Sequence, residues 1–312
     1  MSHVETVHEL DAERTAAVVS LVERVWQSAG HRPLSDQQWL DLTRGGRNDV
    51  AAVLATGADD RLVGYAAVAP GNGSWTIEVV VSPDESRTEI ADELVAAAVR
   101  HVAGRGGGDV HWWVFEPDGA LAEVASHHGL LPKRTLHQMR APLPLATPTV
   151  APAEVRSFRI GVDEADWLEV NNAAFADHPE QGGWTIETVR QREQEPWFEP
   201  EGFLLHHRDG RLAAFCWTKI HRDEDPVLGE IYVIAVHPDF HALGLGKSMT
   251  VAGLASIAAR GVTHGMLYVD RDNVAAYQLY VHLGFTVHRT DRAFVGHVSG
   301  DADLDGTSGG TR

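Results

Sequence analysis

The chain has 312 residues, of which 44% are hydrophobic and 22% are charged, and 26 basic against 44 acidic side chains give a net charge of −18 at pH 7. This length corresponds to two ordinary domains or one large one, and the composition excludes collagen-like, coiled-coil and largely disordered chains. The negative charge disfavours nucleic acid and anionic membranes as partners, because like charges repel at long range. A polyanionic ligand would therefore have to be held by local geometry.

Targeting and redox features are typical of a cytoplasmic protein. The N-terminal segment MSHVETVHELDAER has no basic stretch followed by an apolar one, so we expect no signal peptide. No run of 18 apolar residues occurs, so we expect no membrane span. The single cysteine, Cys216, cannot form a disulfide within the chain, as is usual in a reducing compartment.

Helix and strand patterns occur in the same order twice along the chain. The first series predicts a helix over 11–29, a hairpin over 51–68, a strand ending at Pro83, a helix over 88–103, a strand ending near Val114 and a helix ending at Gly129. The second predicts a helix over 163–176, a hairpin over 203–220, a strand ending at Pro238, a helix over 244–260, a strand ending near Val269 and a helix ending at Gly284. A final strand should follow each series.

Three landmarks recur at one spacing. The two Val-x-Pro strand ends, the two valines of the next strand and the two Gly-hydrophobic helix ends are all 155 residues apart (238 − 83, 269 − 114 and 284 − 129). A constant offset without net insertion predicts two copies of one α/β unit. Strands next to helices and hairpins predict a mixed sheet covered by helices in each copy.

A proline-rich segment separates the two copies. Residues 141–153 read APLPLATPTVAPA, and proline fixes the backbone and removes a hydrogen-bond donor, so this segment should be an extended linker. We therefore expect a first domain over 1–140, a linker over 141–153 and a second domain over 154–298. The small polar residues of 299–312 predict a flexible tail.

The segment 228–247, LGEIYVIAVHPDFHALGLGK, predicts an anion site in the second copy. An apolar strand is followed by a loop, by Gly244 and Gly246, and by a helix, whose first turn exposes backbone N–H groups and a positive dipole end. A P-loop would need glycine in place of His241, and a dinucleotide fingerprint would need glycine in place of Met249. A plain helix-capping turn stays open on this motif alone.

Two motifs resemble the signatures of the GCN5-related N-acetyltransferase family. Val236 followed by residues 241–246, HALGLG, matches its acetyl-CoA loop, Val-x-x and then Gln/Arg-x-x-Gly-x-Gly/Ala, except that His241 replaces Gln or Arg. Residues 273–285, NVAAYQLYVHLGF, match Asn-x-x-Ala-x-x-x-Tyr-x-x-x-Gly-Phe. The resemblance implies an α/β (α+β) fold with two tandem domains, each a mixed, mostly antiparallel sheet flanked by helices. It also implies acetyl-CoA as cosubstrate and no metal.

The resemblance assigns acetyl-CoA binding to the strand end, the loop and the start of the last helix. These residues are Ile234, Ala235, Val236, His241, Ala242, Leu243, Gly244, Leu245, Gly246, Lys247, Asn273, Val274, Ala275, Ala276, Tyr277 and Gln278. By the same resemblance Val79, Val80 and Val81 would form a second acetyl-CoA site in the first copy. There, however, Glu89 and Ala91 stand at the positions of the two loop glycines, which disfavours anion binding.

Two residues are candidates for the chemistry. An amine attacks a thioester only when it is neutral, so a base is needed, and Glu230 lies in an apolar strand where a carboxylate is unusual unless it faces a polar cleft. An exposed strand-end carboxylate is the alternative. The resemblance places Tyr280 at the leaving thiol, as acid or hydrogen-bond donor. Trp75 and Ala125 stand at the equivalent positions of the first copy, so we expect that copy to be catalytically inactive.

The tandem arrangement with a degenerate first copy resembles actinobacterial members of the family over essentially the whole chain. Those members acetylate the cysteinyl amine of cysteinyl-glucosaminyl-inositol in the last step of mycothiol biosynthesis. The resemblance then implies acceptor contacts from Asp36, Glu180, Lys219, Glu230 and Tyr268.

Each acceptor contact has a structural alternative. Asp36 could cap a helix, Glu180 could be a solvated loop carboxylate, Lys219 could be an exposed strand-end lysine and Tyr268 could pack in the core. A different small amine, such as an aminoglycoside or a peptide N-terminus, and a non-catalytic acyl-CoA-binding regulator are the alternative functions. We expect a monomer whose partners are small molecules only.

Overall fold

A computed structural model of the chain describes residues 2–44, 49–71, 73–146, 150–176 and 181–300. The chain divides into two compact units. Unit 1 consists of Met1–Thr135 and Asp291–Arg312, and unit 2 consists of Leu136–Thr290. Among the described residues, no helix combines the length and apolar character needed to cross a membrane.

Unit 1 is a six-stranded sheet in the order β1-β2-β3-β4-β5-β12, with helices α1–α4 connecting its strands. Its elements are β1 (His3–Val7), α1 (Ala12–Ala29), α2 (Asp36–Arg44), β2 (Ala51–Thr56), β3 (Leu62–Pro70), β4 (Ser74–Val81), α3 (Arg87–Gly104), β5 (Gly107–Phe115) and α4 (Gly119–His127), and β6 (Leu131–Pro142) follows along the chain. Strands β4 and β5 pair in parallel, and the other neighbouring strands pair antiparallel.

Unit 2 repeats this order as β7-β8-β9-β10-β11-β6. Its elements are β7 (Arg156–Ser157), α5 (Glu164–Ala174), α6 (Ile186–Glu193), β8 (Phe203–Arg208), β9 (Arg211–His221), β10 (Leu228–Val236), α7 (Leu245–Ala259), β11 (His264–Asp270) and α8 (Val274–His282), and β12 (Thr286–Ser299) ends the described chain. Only β10 and β11 are parallel neighbours in this sheet. Both units thus have the mixed, mostly antiparallel sheet predicted from the sequence.

The last strand of each sheet comes from the other copy. Strand β6 follows the first series but pairs with β11, and β12 follows the second series but pairs with β5. The compact units therefore differ from the expected domains of 1–140 and 154–298. Ala141 and Pro142, expected in the linker, complete β6, whereas residues 147–149 of the linker and 301–312 of the expected tail lie outside the described residues.

Equivalent helices of the two copies begin with the same kind of N-cap. Asp118 and Asn273, which are 155 residues apart, begin α4 and α8 by accepting hydrogen bonds from Leu121 N (2.9 Å) and Ala276 N (3.1 Å). Both are good N-cap residues because their side chains satisfy an otherwise unpaired helix amide. Strands β1 and β7 and helices α2 and α6 were not predicted from the sequence, because they are short or polar elements without a strong apolar period.

The unit 2 sheet has a different core on each face. On one face, the α7 face, Cys216, Ile231 and Tyr280 pack with α7. On the other, the aromatic face, Trp167, Phe203, Phe215 and Trp217 are fully buried around α5. Helix α7 lies so close to the sheet that a Cβ on Gly253 would meet Cys216 Sγ and would come within 2.7 Å of Ile231 Cδ1.

Candidate functional site

An opening lies between the two parallel strands of unit 2. Their pairing runs from Leu228 opposite His264 to Ile231 opposite Leu267. Both strands are fully described, and both continue, β10 to Val236 and β11 to Asp270, without further pairing to each other. The strands therefore separate beyond Ile231.

A β-bulge in β10 marks the start of this opening. The register of β10 against β9 shifts between Ile231 and Val233, and Tyr232 and Val233 both pack on the aromatic face. Ile231 and Ile234, on either side, pack on the α7 face. A bulge bends its strand and interrupts the ladder, which explains why β10 leaves β11 at this point.

Backbone amides at the end of β10 point into the opening. His237 N donates to Ala213 O at 2.9 Å, so this amide faces β9. Because amide direction alternates along a strand, the N–H groups of Ile234 and Val236 face the opposite side, where β11 has moved away. These amides can donate to a developing negative charge on an oxygen in the opening.

The turn before α7 leaves helix amides available to an anion. Gly244 has φ 76° as N-cap, and Ala242 also has a positive φ of 62°. Leu245, Gly246 and Lys247 form the first turn, whose amides have no acceptor within the helix. A Cβ on Gly246 would meet nothing within 4 Å, so this backbone is open to a ligand.

His241 departs from the family signature in its contacts as well as in its identity. Its Nε2 lies 3.1 Å from the carbonyl oxygen of Val236, so the side chain is joined to the end of β10. The side chains of Ala242 and Leu243 are exposed. A ligand bound at this loop would therefore contact mainly its backbone.

Tyr280 lies in the last turn of α8 and is buried. It is only 6% exposed, and burial, assisted by the nearby Cys216 thiol, raises the pKa of Tyr280 to about 12. Within the described ranges its hydroxyl has no hydrogen-bond partner, so the proton is available to a ligand. Tyr277 differs, since it is half-buried with its ring 5.8 Å from that of His137.

The start of α8 is more exposed than Tyr280. Asn273, Val274, Ala275 and Gln278 are exposed, and Ala276 is half-buried. The side-chain oxygen of Asn273 caps the helix, as described above, which leaves its amide nitrogen and the second lone pair of its oxygen for other contacts.

Glu230 and Lys219 form a buried pair of opposite charges across β9 and β10. The two residues lie opposite each other in the sheet register, and they are 6% and 5% exposed. Neither is therefore an exposed residue at a strand end, which was the alternative role considered from the sequence. Glu230 Oε2 lies 2.7 Å from Nε2 of His221. The Lys219 ammonium lies 4.6 Å from the ring centre of Trp197 and 5.6 Å from that of Tyr232, in cation–π contact.

Tyr268 lies on β11 in a chain of polar side chains. Tyr268 is 37% exposed, so it does not pack in the core, which was the alternative role considered from the sequence. Its hydroxyl accepts hydrogen bonds from Gln138 Nε2 (2.8 Å) and Arg289 Nη2 (3.1 Å), while Arg140 Nε donates to Gln138 Oε1 (3.0 Å). The hydroxyl of Tyr268 is therefore joined by hydrogen bonds to side chains of β6 and β12.

The predicted site residues are brought together only in part. Glu230, Lys219 and Tyr268 share the aromatic face of the unit 2 sheet, whereas Tyr280 lies on the α7 face. Asp36 lies in unit 1 as the first residue of α2, 3.5 Å from Arg32, and the α2 cap is Ser35, whose Oγ accepts from Gln38 N at 3.3 Å. Glu180 lies outside the described residues.

Unit 1 keeps the opening but not the phosphate turn. Pairing of β4 with β5 stops at Glu78 opposite Trp113, although β4 continues to Val81. A cavity of about 210 Å³ follows, lined among others by Val79, Val80, Val81, Arg87 and Trp112. Helix α3 begins without a glycine turn, and its first turn carries Glu89. A second acetyl-CoA site there stays a prediction.

Three polar residues that contact Glu230 or Tyr268 were not predicted from the sequence: His221, Gln138 and Arg289. His221 is two residues from Lys219 in β9, and this spacing places both on one face of a strand. That was the one available signal. Gln138 and Arg289 come from distant segments, and nothing local to them indicates that they bind Tyr268.

Neither a metal site nor a reactive thiol is found in the described residues. They contain no group of three or more His, Cys, Asp and Glu side chains that could hold a metal ion. Burial raises the pKa of Cys216 to about 12, so this thiol is protonated and unreactive.

Comparison with known proteins gives consistent similarities. Residues 167–285 match the Acetyltransferase (GNAT) family model. A mycothiol acetyltransferase of Thermobispora bispora is 41% identical over 278 residues, which cover 86% of this chain and 92% of that protein. One of Geodermatophilus obscurus is 40% identical over 298 residues, 92% and 96% of the two chains. The solved structure of a tandem GNAT protein from the clavulanic acid biosynthesis pathway has a TM-score of 0.68, with 15% identity and coverage of 95% and 99%.

Proposed function

The chain belongs to the GNAT family of acetyltransferases and, within it, to the mycothiol acetyltransferases, and we propose that it acetylates the cysteinyl amine of cysteinyl-glucosaminyl-inositol. This is the mycothiol synthase reaction, with acetyl-CoA as cosubstrate. One observation carries the proposal. The opening between β10 and β11 has a donor-rich turn and Tyr280 on one face of the sheet, and a buried carboxylate on the other.

Acetyl-CoA would enter from the α7 face. The pyrophosphate would be bound by the first-turn amides of α7, which requires no basic cluster and so suits a chain of net charge −18. The pantetheine arm would extend between β10 and β11 along Ile234–Val236, with α8 on its other side. The thioester carbonyl would then lie beside the inward-facing amides of β10.

The acceptor would approach from the aromatic face. A cysteinyl α-amine has a pKa of about 7.7–8.0, so a modest base suffices to make it neutral. Glu230 would take the proton, directly or through water, as the nitrogen attacks the thioester carbon. Lys219 and the hydroxyl of Tyr268 would contact polar groups of the sugar and amide portions.

The remaining steps use the donors of unit 2. The oxyanion of the tetrahedral intermediate would accept from the amides of Ile234 and Val236. As the C–S bond breaks, the CoA thiolate would accept a hydrogen bond from Tyr280. A thiol has a pKa of about 8.5, well below that of this tyrosine, so Tyr280 stabilises the thiolate without losing its proton.

Acceptor profiling tests the substrate. With acetyl-CoA fixed, kcat/KM would be measured for cysteinyl-glucosaminyl-inositol, an aminoglycoside and a short peptide with a free N-terminus. We expect the first to be preferred by at least about a hundredfold, because a site that hydrogen-bonds polar groups rejects substrates lacking them. Equal or higher kcat/KM for another amine would reject this acceptor, and acetyl-CoA binding without turnover of any amine would indicate a regulator.

Calorimetry on the full chain tests the number of cofactor sites. We propose that unit 2 holds the productive acetyl-CoA and that the unit 1 opening, which has acidic residues in place of the glycine turn, binds it weakly or not at all. One high-affinity site abolished by a loop substitution in unit 2 is the expected result. Two sites of equal affinity would contradict it.

A further inference from the structure

The carboxylate proposed as base has a dedicated hydrogen-bond partner. Nε2 of His221 lies 2.7 Å from Oε2 of Glu230, at the short end of the range for such bonds. The side chains are 21% and 8% exposed. In the part of the chain that the structure describes, neither of them makes a second side-chain hydrogen bond.

The direction of this bond follows from the chemistry of the two groups. An ionised carboxylate can only accept, so Nε2 must carry the hydrogen and the neutral imidazole must be the Nε2–H tautomer. Oε2 is thereby occupied, and Oε1 is left as the oxygen that can take a proton. The bond limits rotation of the Glu230 carboxylate.

The sheet register makes His221 the partner. Glu230 lies opposite Lys219, and His221 lies opposite Leu228, so both β9 residues share the face of Glu230. The Lys219 ammonium is held between the rings of Trp197 and Tyr232, and it is the imidazole that bonds the carboxylate.

We propose that His221 is a positioning residue that fixes the carboxylate of Glu230, with Oε1 directed at the acceptor amine. This inference rests on the proposed acetyl transfer, in which Glu230 is the base. Other charged or titratable groups facing this pair are Lys219 from β9, His264 of β11, which lies opposite Leu228, and Arg140 of β6, which lies opposite the Met266 that pairs with Glu230.

Three substitutions in the full chain separate positioning from simple packing. His221→Leu keeps volume and removes the donor, His221→Gln places an amide N–H near the position of Nε2, and His221→Asn has an amide too short to reach it. His206→Leu is the matched control, because His206 is a half-buried β8 histidine that bonds the Glu154 carbonyl (2.7 Å) and lies outside the proposed site. Affinity for acetyl-CoA, measured by calorimetry, reports that each variant is folded.

The expected result is a loss of kcat that depends on the donor. Leu and Asn should lower kcat about ten- to a hundredfold with the KM for acetyl-CoA unchanged, whereas Gln should stay within about threefold of the parent. His206→Leu should change neither quantity.

Two results would overturn the inference. One is parental kcat in His221→Leu. The other is equal impairment of the Gln and Asn variants while both still bind acetyl-CoA. Failure of the proposed function looks different, since the unsubstituted chain would then not acetylate cysteinyl-glucosaminyl-inositol. The same variants would in that case be compared on whichever amine the chain does acetylate.

Discussion

Replacing Tyr280 by phenylalanine tests the assignment of the leaving-group donor. The side chain is buried on the α7 face, and its hydroxyl has no hydrogen-bond partner in the described ranges of the chain. The substitution therefore removes one proton donor and little else. We expect unfolding free energy to change by less than about 0.5 kcal/mol, as for a substitution that breaks no internal bond.

The loss of rate can be estimated from the setting of the hydroxyl. A preorganised donor in a site that excludes water contributes about 2.7–4 kcal/mol to the transition state, or about a hundred- to a thousandfold in kcat. Because burial raises the pKa of Tyr280 to about 12, the donor stays protonated throughout the usual assay range. The parent chain should accordingly show no alkaline loss of kcat from this group below about pH 11.

The assay is the initial rate of N-acetyl product formation, followed by mass spectrometry between pH 7 and 10.5. Tyr65→Phe is the matched control, since Tyr65 is a buried tyrosine of β3 in unit 1, outside the proposed site. It should retain kcat within about threefold. Parental kcat in Tyr280→Phe, or an equal loss in Tyr65→Phe, would refute the role of Tyr280 as donor.

Three further predictions concern the anion site and the stability of unit 2. Gly246→Asp should raise the KM for acetyl-CoA more than about tenfold, because it adds negative charge at the anion site, yet it should not lower Tm, since an acidic residue near a helix N-terminus stabilises the helix. Gly253→Ala should lower the unfolding free energy by about 1–3 kcal/mol, because its Cβ has no room beside the sheet. For Asp163, burial would raise the pKa, but hydrogen bonds from Arg156 and Arg159 outweigh it and lower the pKa well below its usual range. Asp163→Asn should therefore cost about 2 kcal/mol in urea unfolding at pH 7 and less at pH 3, since stability from a depressed carboxylate pKa is lost as pH falls; an equal cost at both pH values would contradict this.

The repeated fold was predictable because its signals are local. Pro83 and Pro238 end equivalent strands, and Asp118 and Asn273 cap equivalent helices, all at the offset of 155. The exchange of β6 and β12 was not predictable. Both strands follow their own copy along the chain, and their partners β11 and β5 are chosen by long-range pairing, which leaves no pattern within either strand.

The site was predictable to the extent that it depends on backbone. The glycine turn and the end of β10 were predicted from motif spacing and family resemblance. The opening lies beside the end of β10. The bulge at Tyr232 was not predictable from the sequence, because it is visible only in the register of β10 with β9. The contacts of His221 with Glu230 and of Gln138 with Tyr268 also required the register, because histidine and glutamine in strands are usually without such a role.

A single reaction tests the central claim most directly. The full chain would be incubated with acetyl-CoA and cysteinyl-glucosaminyl-inositol, and the products would be analysed by mass spectrometry, which distinguishes acetylation from reaction of the acceptor thiol. The account predicts a product heavier by one N-linked acetyl group. It also predicts that Glu230→Gln forms this product at least about a hundredfold more slowly while binding acetyl-CoA normally. No acetylated product from the parent chain, or an undiminished rate in Glu230→Gln, would contradict the account.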